Sequence, residues 1–114
     1  MDISVVNFEE KFSKVNELYS YKIIAQMNDY HFKIVKGNSE LVWHSHSETD
    51  ETFIVIDGNL QIDLRDKTLH LQKGEMVVIP KGVEHKPICR GECKVLLIEP
   101  IGTHKTGNAS SDLT

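Results

Sequence analysis

Hydrophobic and polar residues alternate with a period of two along most of the chain after about residue 21. This period is typical of β-strands that bury one face. Short polar or glycine-containing turns interrupt the alternation at close intervals. We predict nine strands, over residues 21–27, 30–36, 40–46, 51–57, 60–65, 68–72, 76–80, 85–89 and 93–99. Many short strands at this spacing indicate an all-β sandwich or barrel.

The segment before the strands has a helical period instead. Four apolar residues recur at helical spacing, namely Phe8, Phe12, Val15 and Leu18. Asn7 can cap this helix, and Glu10 completes a capping box three residues later. We predict one domain over residues 1–114, with a short helix at about 7–18, a barrel at about 21–100 and a flexible polar tail at about 103–114.

Composition and charge narrow the classes of partner. The chain has 13 basic and 17 acidic residues, a formal net charge of −4 and no basic cluster. Nucleic-acid binding needs clustered lysine and arginine, so we expect no nucleic-acid partner. The sequence shows neither an apolar run of about 20 residues nor an N-terminal signal peptide. We therefore expect no membrane partner and a cytoplasmic location.

Cys89 and Cys93 are the only cysteines in the sequence. Their spacing fits neither the CxxC redox motif nor half of a familiar zinc site. In a reducing compartment we expect both to be free thiols that pack as small apolar side chains.

Two histidines separated by one residue are the clearest chemical feature. On a strand, His44 and His46 project from the same face. Residues 47–50 fit a four-residue hairpin loop, and in that register His46 pairs with Glu51 and His44 with Phe53. The two imidazoles and the carboxylate then share one face and can approach a single ion at about 2.1 Å from each ligand atom.

A fourth ligand is predicted at His85. It follows an apolar strand that ends at Pro80 and a turn that contains Gly82. Proline fixes φ and glycine permits a positive φ, so this turn can aim His85 back into the barrel. We predict one divalent metal ion bound by His44, His46, Glu51 and His85. Imidazoles with one carboxylate suit Fe, Mn, Ni, Co or Zn, and the ligand set does not distinguish among these metals.

Two stretches that contain these residues resemble the signature motifs of the cupin family. The first consists of Gly37, His44, His46, Glu51 and Gly58, with one extra residue between the first glycine and the first histidine. The second consists of Gly74, Pro80, Gly82, His85 and Cys89, where the family usually has asparagine at the last position. The resemblance implies the cupin double-stranded β-helix, a jelly-roll barrel, with the same four metal ligands.

The whole chain also resembles a group of small one-domain bacterial cupins. Members of this group are often labelled mannose-6-phosphate-isomerase-like. That label follows the fold more than the chemistry of the site.

Other side chains allow alternative interpretations. Glu48 or Asp50 can replace Glu51 as the carboxylate ligand, although hairpin geometry favours Glu51. Phe53 and Cys89 are predicted to line a pocket, with plain core packing as the alternative.

Several charged or titratable side chains are interpreted as surface residues. Lys22, Lys33 and Arg65 can each place a cation beside an anionic ligand, but a solvated strand face is the preferred interpretation. His31, His70 and His104 have polar neighbours and are expected at the surface.

The predicted site leads to a functional hypothesis. Four protein ligands on an ion that prefers six leave two positions open, as catalysis requires. The resemblance implies isomerase, dioxygenase or lyase chemistry, and we expect an enzyme acting on a small polar substrate that chelates through oxygen atoms. Glu51 is the acid–base candidate among the protein side chains. The alternatives are a non-catalytic module that binds or senses a small ligand, and a structural ion.

The strand alternation also predicts which residues lie on the outside of the barrel. Five apolar residues are predicted on this outer face: Trp43, Ile54, Ile56, Leu96 and Ile98. Such faces and open sheet edges are usually covered, so we expect a homodimer.

Overall fold

A computed structural model describes residues 3–103 of the chain. It has one short helix, α1 (Phe8–Ser13), followed by seven strands: β1 (Lys22–Met27), β2 (Tyr30–Glu40), β3 (Glu51–Asp57), β4 (Asn59–Asp63), β5 (Thr68–Gln72), β6 (Met76–Ile79) and β7 (Lys86–Pro100). The predicted cap is confirmed, because the Asn7 side chain accepts a hydrogen bond from the backbone N–H of Glu10. The helix is shorter than predicted, since its N-terminal turns already bury Phe12.

The strands pair antiparallel in the order β1-β2-β7-β3-β6, and β4 pairs with both β7 and β5. Strand β7 is central to this arrangement. One of its edges pairs with β2, and the other pairs with β4 in its first half and with β3 in its second half. A register shift between Gly37 and Ser39 interrupts the pairing of the two long strands. They thereby pass from one layer of the jelly-roll barrel to the other, as the predicted fold class requires.

Two strand predictions are corrected. Residues 41–46 do not continue as a strand, and within them only His44 forms an isolated bridge, with His85. The strands predicted over 85–89 and 93–99 are one strand, β7, because its backbone keeps pairing with β2 on both sides of residues 90–92.

The barrel core lies between the two layers. It is built from the inward-facing residues of β2, β3, β4 and β7, which include Val35, Val55, Leu60, Ile62 and Val95. A smaller cluster lies on the outer face, where Phe12 and Val15 pack against Ile34 and Leu96. The chain around α1 therefore covers part of the outer face.

This cover corrects the predicted apolar surface. Leu96 points outward as expected but is buried by the small cluster, and Ile54 and Ile56 are partly covered by it. Trp43 is covered from another direction, because the Arg65 guanidinium lies 3.8 Å from the centroid of its ring.

Cys89 and Cys93 form a disulfide, so the prediction of free thiols is wrong. In a regular strand, residues four apart are separated by about 13 Å, too far for a disulfide. Here Cys89 lies opposite Ser39 and Cys93 opposite Gly37, so three residues of β7 face one of β2. This bulge brings the two Cα atoms to 5.8 Å. Disulfides are commoner in oxidising compartments, so the cytoplasmic location stays a prediction.

Within residues 3–103, no helix combines the length and apolarity needed to cross a membrane. The predicted tail lies almost entirely outside the described residues, as does His104.

Candidate metal centre

The four predicted ligands meet inside the barrel. His44, His46, Glu51 and His85 each offer a donor atom, and these atoms all lie within 4.8 Å of one another. Their side chains are buried. Two ligand atoms bound to one ion at about 2.1 Å are separated by at most about 4.2 Å. The cluster is therefore close to the dimensions that one ion requires.

Backbone pairing between two loop segments positions the histidines. The N–H of His44 donates to the carbonyl of His85 at 3.0 Å, and the N–H of His85 donates to the carbonyl of His44 at 2.9 Å. A third bond joins the N–H of Gly82 to the carbonyl of His46 at 2.8 Å. The segment that carries two ligands thus runs beside the turn that leads to His85.

The predicted hairpin register, in which His46 pairs with Glu51 and His44 with Phe53, is wrong. Glu51 lies opposite Ile79, and Phe53 lies opposite Val77 on one side and Leu97 on the other. Glu51 still joins the cluster, because it and Phe53 occupy inward positions of β3.

Hydrogen bonds orient two of the imidazoles. Nδ1 of His44 lies 2.8 Å from the carbonyl oxygen of Val42, and Nδ1 of His85 lies 2.9 Å from that of Val83. A carbonyl oxygen only accepts, so both Nδ1 atoms carry the proton. The Nε2 atoms are then the ring nitrogens that face the cluster, and they would be the ligand atoms of the neutral rings.

The chemistry of the cluster fits a divalent cation. The Nε2 atoms of His44 and His46 are buried and have no hydrogen-bond partner within the described part of the chain. Nε2 of His46 lies 3.3 Å from Oε2 of Glu51, but the alignment is too poor for a hydrogen bond. Buried nitrogens without a partner are costly, and ligation would satisfy them. Glu51 Oε1 lies 3.2 Å from Nε2 of His85.

Burial and neighbouring charges set the protonation states. Burial lowers the pKa of His44 to about 4. Burial also lowers the pKa of His46, but the adjacent Glu51 outweighs it and the net shift is upward. Burial raises the pKa of Glu51, yet its contacts with His46 and His85 hold it well below its usual range. Glu51 is therefore anionic and His44 is neutral at physiological pH.

A buried ion pair beside the cluster was missed in the sequence. Glu99 is 1% exposed, and its Oε1 lies 2.9 Å from Nζ of Lys33. The interpretation of Lys33 as a solvated residue is therefore wrong. Burial and the neighbouring Glu51 raise the pKa of Glu99, which outweighs the opposite effect of Lys33. The strand alternation could have predicted the burial of Glu99, because it lies on the same face of β7 as the inward residues Val95 and Leu97.

The remaining candidates lie outside the cluster. Glu48 and Asp50 are exposed, and Asp50 Oδ1 instead accepts a hydrogen bond from the N–H of Lys81 at 2.8 Å. Arg65 is exposed and pairs with Glu84 at 3.2 Å. Three others also lie outside it: Lys22 and His70 are exposed and His31 is half-buried.

A pocket adjoins the cluster inside the barrel. Its empty volume, measured out to its open mouth, is about 370 Å³. The structure places both predicted pocket residues, Phe53 and Cys89, in its wall. The Phe53 ring centroid lies 5.9 Å from that of His85, which links the wall to the ligands. Tyr19 and Tyr21 also line the pocket and were not anticipated from the sequence.

Comparison with known proteins agrees with this fold and site. A family model described as "Cupin domain" matches residues 30–99. The chain belongs to the cupin family. It is 58% identical to a cupin-2 domain containing protein of Shewanella frigidimarina over 84% of this chain and 94% of that one, with a TM-score of 0.83.

Two further relatives are more distant. Protein NMB1881 of Neisseria meningitidis is 28% identical over 85% of this chain and 99% of its own, with a TM-score of 0.78. The uncharacterised protein YdbB of Bacillus subtilis is 36% identical over 75 residues, or 65% of this chain and 66% of YdbB, just under two thirds of its length. These names carry no activity, and the mannose-6-phosphate-isomerase-like label stays a prediction.

Metal binding is tested by removing two ligands at once. We expect the wild-type protein to bind about one divalent ion per chain and the variant His44→Ala/His46→Ala to bind none, because two donors cannot hold the ion against water. Elemental analysis after dialysis measures this. The control His70→Ala removes an exposed imidazole outside the cluster and should retain the ion. Full occupancy in the double variant would show that the ligands are wrong.

The pH dependence of stability follows from the protonation states. The pKa of His44 is about 4 in the folded protein, below its ordinary value of about 6.5. Its contribution to stability is therefore present above about pH 6.5 and lost as the pH falls toward about 4. Ligation needs all three rings neutral, and the raised pKa of His46 extends competition between its proton and the metal to higher pH.

We therefore expect the metal-dependent increase in melting temperature to be largest at the alkaline end of the range, above the raised pKa of His46, and to disappear on acidification more steeply than a single titration. Melting curves from pH 8 to 4.5, with and without metal, measure the difference. Curves that superimpose over the whole range would contradict a stabilising ion.

Proposed function

We propose that this protein is a metal-dependent enzyme that acts on a small molecule able to bind the metal through oxygen atoms. One observation carries the proposal: the buried cluster of three imidazoles and a carboxylate lies near a partly open pocket, because the ring centroid of the wall residue Phe53 is 5.9 Å from that of His85. A purely structural ion needs no such access. The family supports isomerase, dioxygenase or lyase chemistry as the reaction class.

The side chains divide the work in this proposal. An ion held by His44, His46, Glu51 and His85 supplies Lewis-acid polarisation of a bound oxygen. The Nδ1 hydrogen bonds fix the ring orientations of His44 and His85. Glu99 provides a second buried carboxyl group beside Glu51, and its raised pKa lets it hold a proton there.

A second function is favoured by the composition of the pocket. Most of its wall is aliphatic or aromatic, and such surfaces bind ligands without themselves transferring protons. A non-catalytic module that binds or senses a small molecule through the same ion is therefore the alternative.

Turnover with and without metal decides between these functions. A panel of 2-hydroxy acids, 2-keto acids, diols and phenols is incubated with metal-loaded and metal-free protein and followed by NMR and by oxygen uptake. We expect at least one compound to be converted only by the loaded protein, and His85→Ala to abolish that conversion, while His31→Ala retains it. A compound that raises the melting temperature of the loaded protein without conversion would favour the binding module.

We also propose that the protein is a homodimer, and exposed apolar residues at both sheet edges support this. On β6, Met76 and Val78 are 56% and 47% exposed; on β1, Ile23 and Met27 are each 57% exposed. Exposed strands with apolar side chains are usually covered by a partner.

Light scattering measures the assembly. We expect a mass of about twice the 13.0 kDa of one chain, and a shift toward the monomer for Met76→Glu/Val78→Glu, because two charges oppose burial of that edge. His70→Glu, on β5, serves as the control for added charge. A wild-type mass of one chain at micromolar concentration would contradict the dimer.

A further inference from the structure

Strand alternation places residues of the pocket wall next to candidate ligands, and the ring centroids of Phe53 and His85 are 5.9 Å apart. Phe53 lies two residues after Glu51 on β3, and Pro87 lies two residues after His85. Residues two apart on a strand share a face. A molecule that reaches the ion through its head therefore places its remaining atoms against this wall.

The wall offers few partners for polar groups. Seven of its side chains have no polar atom: Val35, Leu41, Phe53, Leu60, Pro87, Val95 and Leu97. Hydroxyl groups come from Tyr19 and Tyr21 alone among its lining residues. The sulfur of Cys89 is part of the disulfide. The Tyr19 hydroxyl already donates to the carbonyl of Asn38 at 2.6 Å and accepts from its N–H at 3.2 Å. A hydroxyl-rich ligand would lose hydrogen bonds to water here without equivalent replacements.

We propose that the molecule recognised by this site has an apolar body behind an oxygen-containing head that meets the ion. This inference rests on the proposed function and revises the expected polar substrate.

A series of hydroxamic acids tests the inference, since they share one chelating head. Acetohydroxamic, hexanohydroxamic, benzohydroxamic and serine hydroxamic acids are titrated into zinc-loaded protein by calorimetry. Each buried methylene contributes about fourfold in affinity. We expect the pentyl and phenyl bodies to bind at least tenfold more tightly than the methyl body, and the serine body to gain nothing. Equal affinities across the series, or tightest binding of the serine compound, would overturn the inference.

A matched pair of variants locates the effect. Val95→Thr places a hydroxyl in the wall with little change of shape, and we expect it to reduce the preference for benzohydroxamic over acetohydroxamic acid at least threefold. Val78→Thr makes the same change on the exposed edge strand and should leave the preference unchanged. Equal effects of the two variants would contradict binding at the wall. Melting curves establish whether each variant is folded. If Val95→Thr does not fold, the hydroxamic acid series on the wild-type protein still tests the inference.

The metal content of the wild-type protein separates this inference from the proposed function. Absence of stoichiometric zinc, with no binding of any hydroxamic acid, would overturn both. Stoichiometric zinc with a flat hydroxamic acid series would overturn the apolar body alone.

Discussion

The pair of backbone hydrogen bonds between His44 and His85 determines the geometry of the site. They hold two segments from distant parts of the sequence side by side and bring the two ring centroids to 4.3 Å. Glu51 arrives independently, on a strand that pairs with β6 through Ile79. Main-chain pairing thus brings three of the four donors together, and the side chains need only small adjustments to bind an ion. This is the preorganisation that a precise metal site requires.

The interior of the barrel brings two buried carboxyl groups together beside one lysine. Glu51 and Glu99 adjoin each other, and Lys33 is the cation paired with them. Two neighbouring buried carboxyl groups do not both ionise readily, which is why their pKa values shift in opposite directions. A divalent cation at the imidazoles would lower the pKa of both carboxyl groups and favour loss of the proton that Glu99 holds.

The sequence predicted features that depend on neighbouring residues and missed features that depend on contacts between distant segments. Strand parity depends on neighbouring residues, and it correctly placed Phe53 inward and Leu96 outward. Pairing between distant segments is not encoded in local alternation, so the His44–His85 bridge and the position of Lys33 opposite Leu97 were missed. The disulfide was missed because it depends on a bulge that shortens the distance between Cys89 and Cys93. The ligand set was predicted from strand parity and turn residues, and the resemblance to the family motifs agreed with it.

The alternation of ligands and wall residues along the same strands has an evolutionary consequence. On β3, Glu51 serves the ion and Phe53 serves the cavity; on the segment that opens β7, His85 and Pro87 divide in the same way. If the proposed site binds a ligand through an ion, a mutation at a wall position would change what is selected, while the neighbour two residues away would still hold the ion. Single substitutions could therefore change ligand selectivity without changing the metal ligands. A barrel of this kind is able to acquire new ligands by point mutation, without insertion of a loop or loss of its reactive centre.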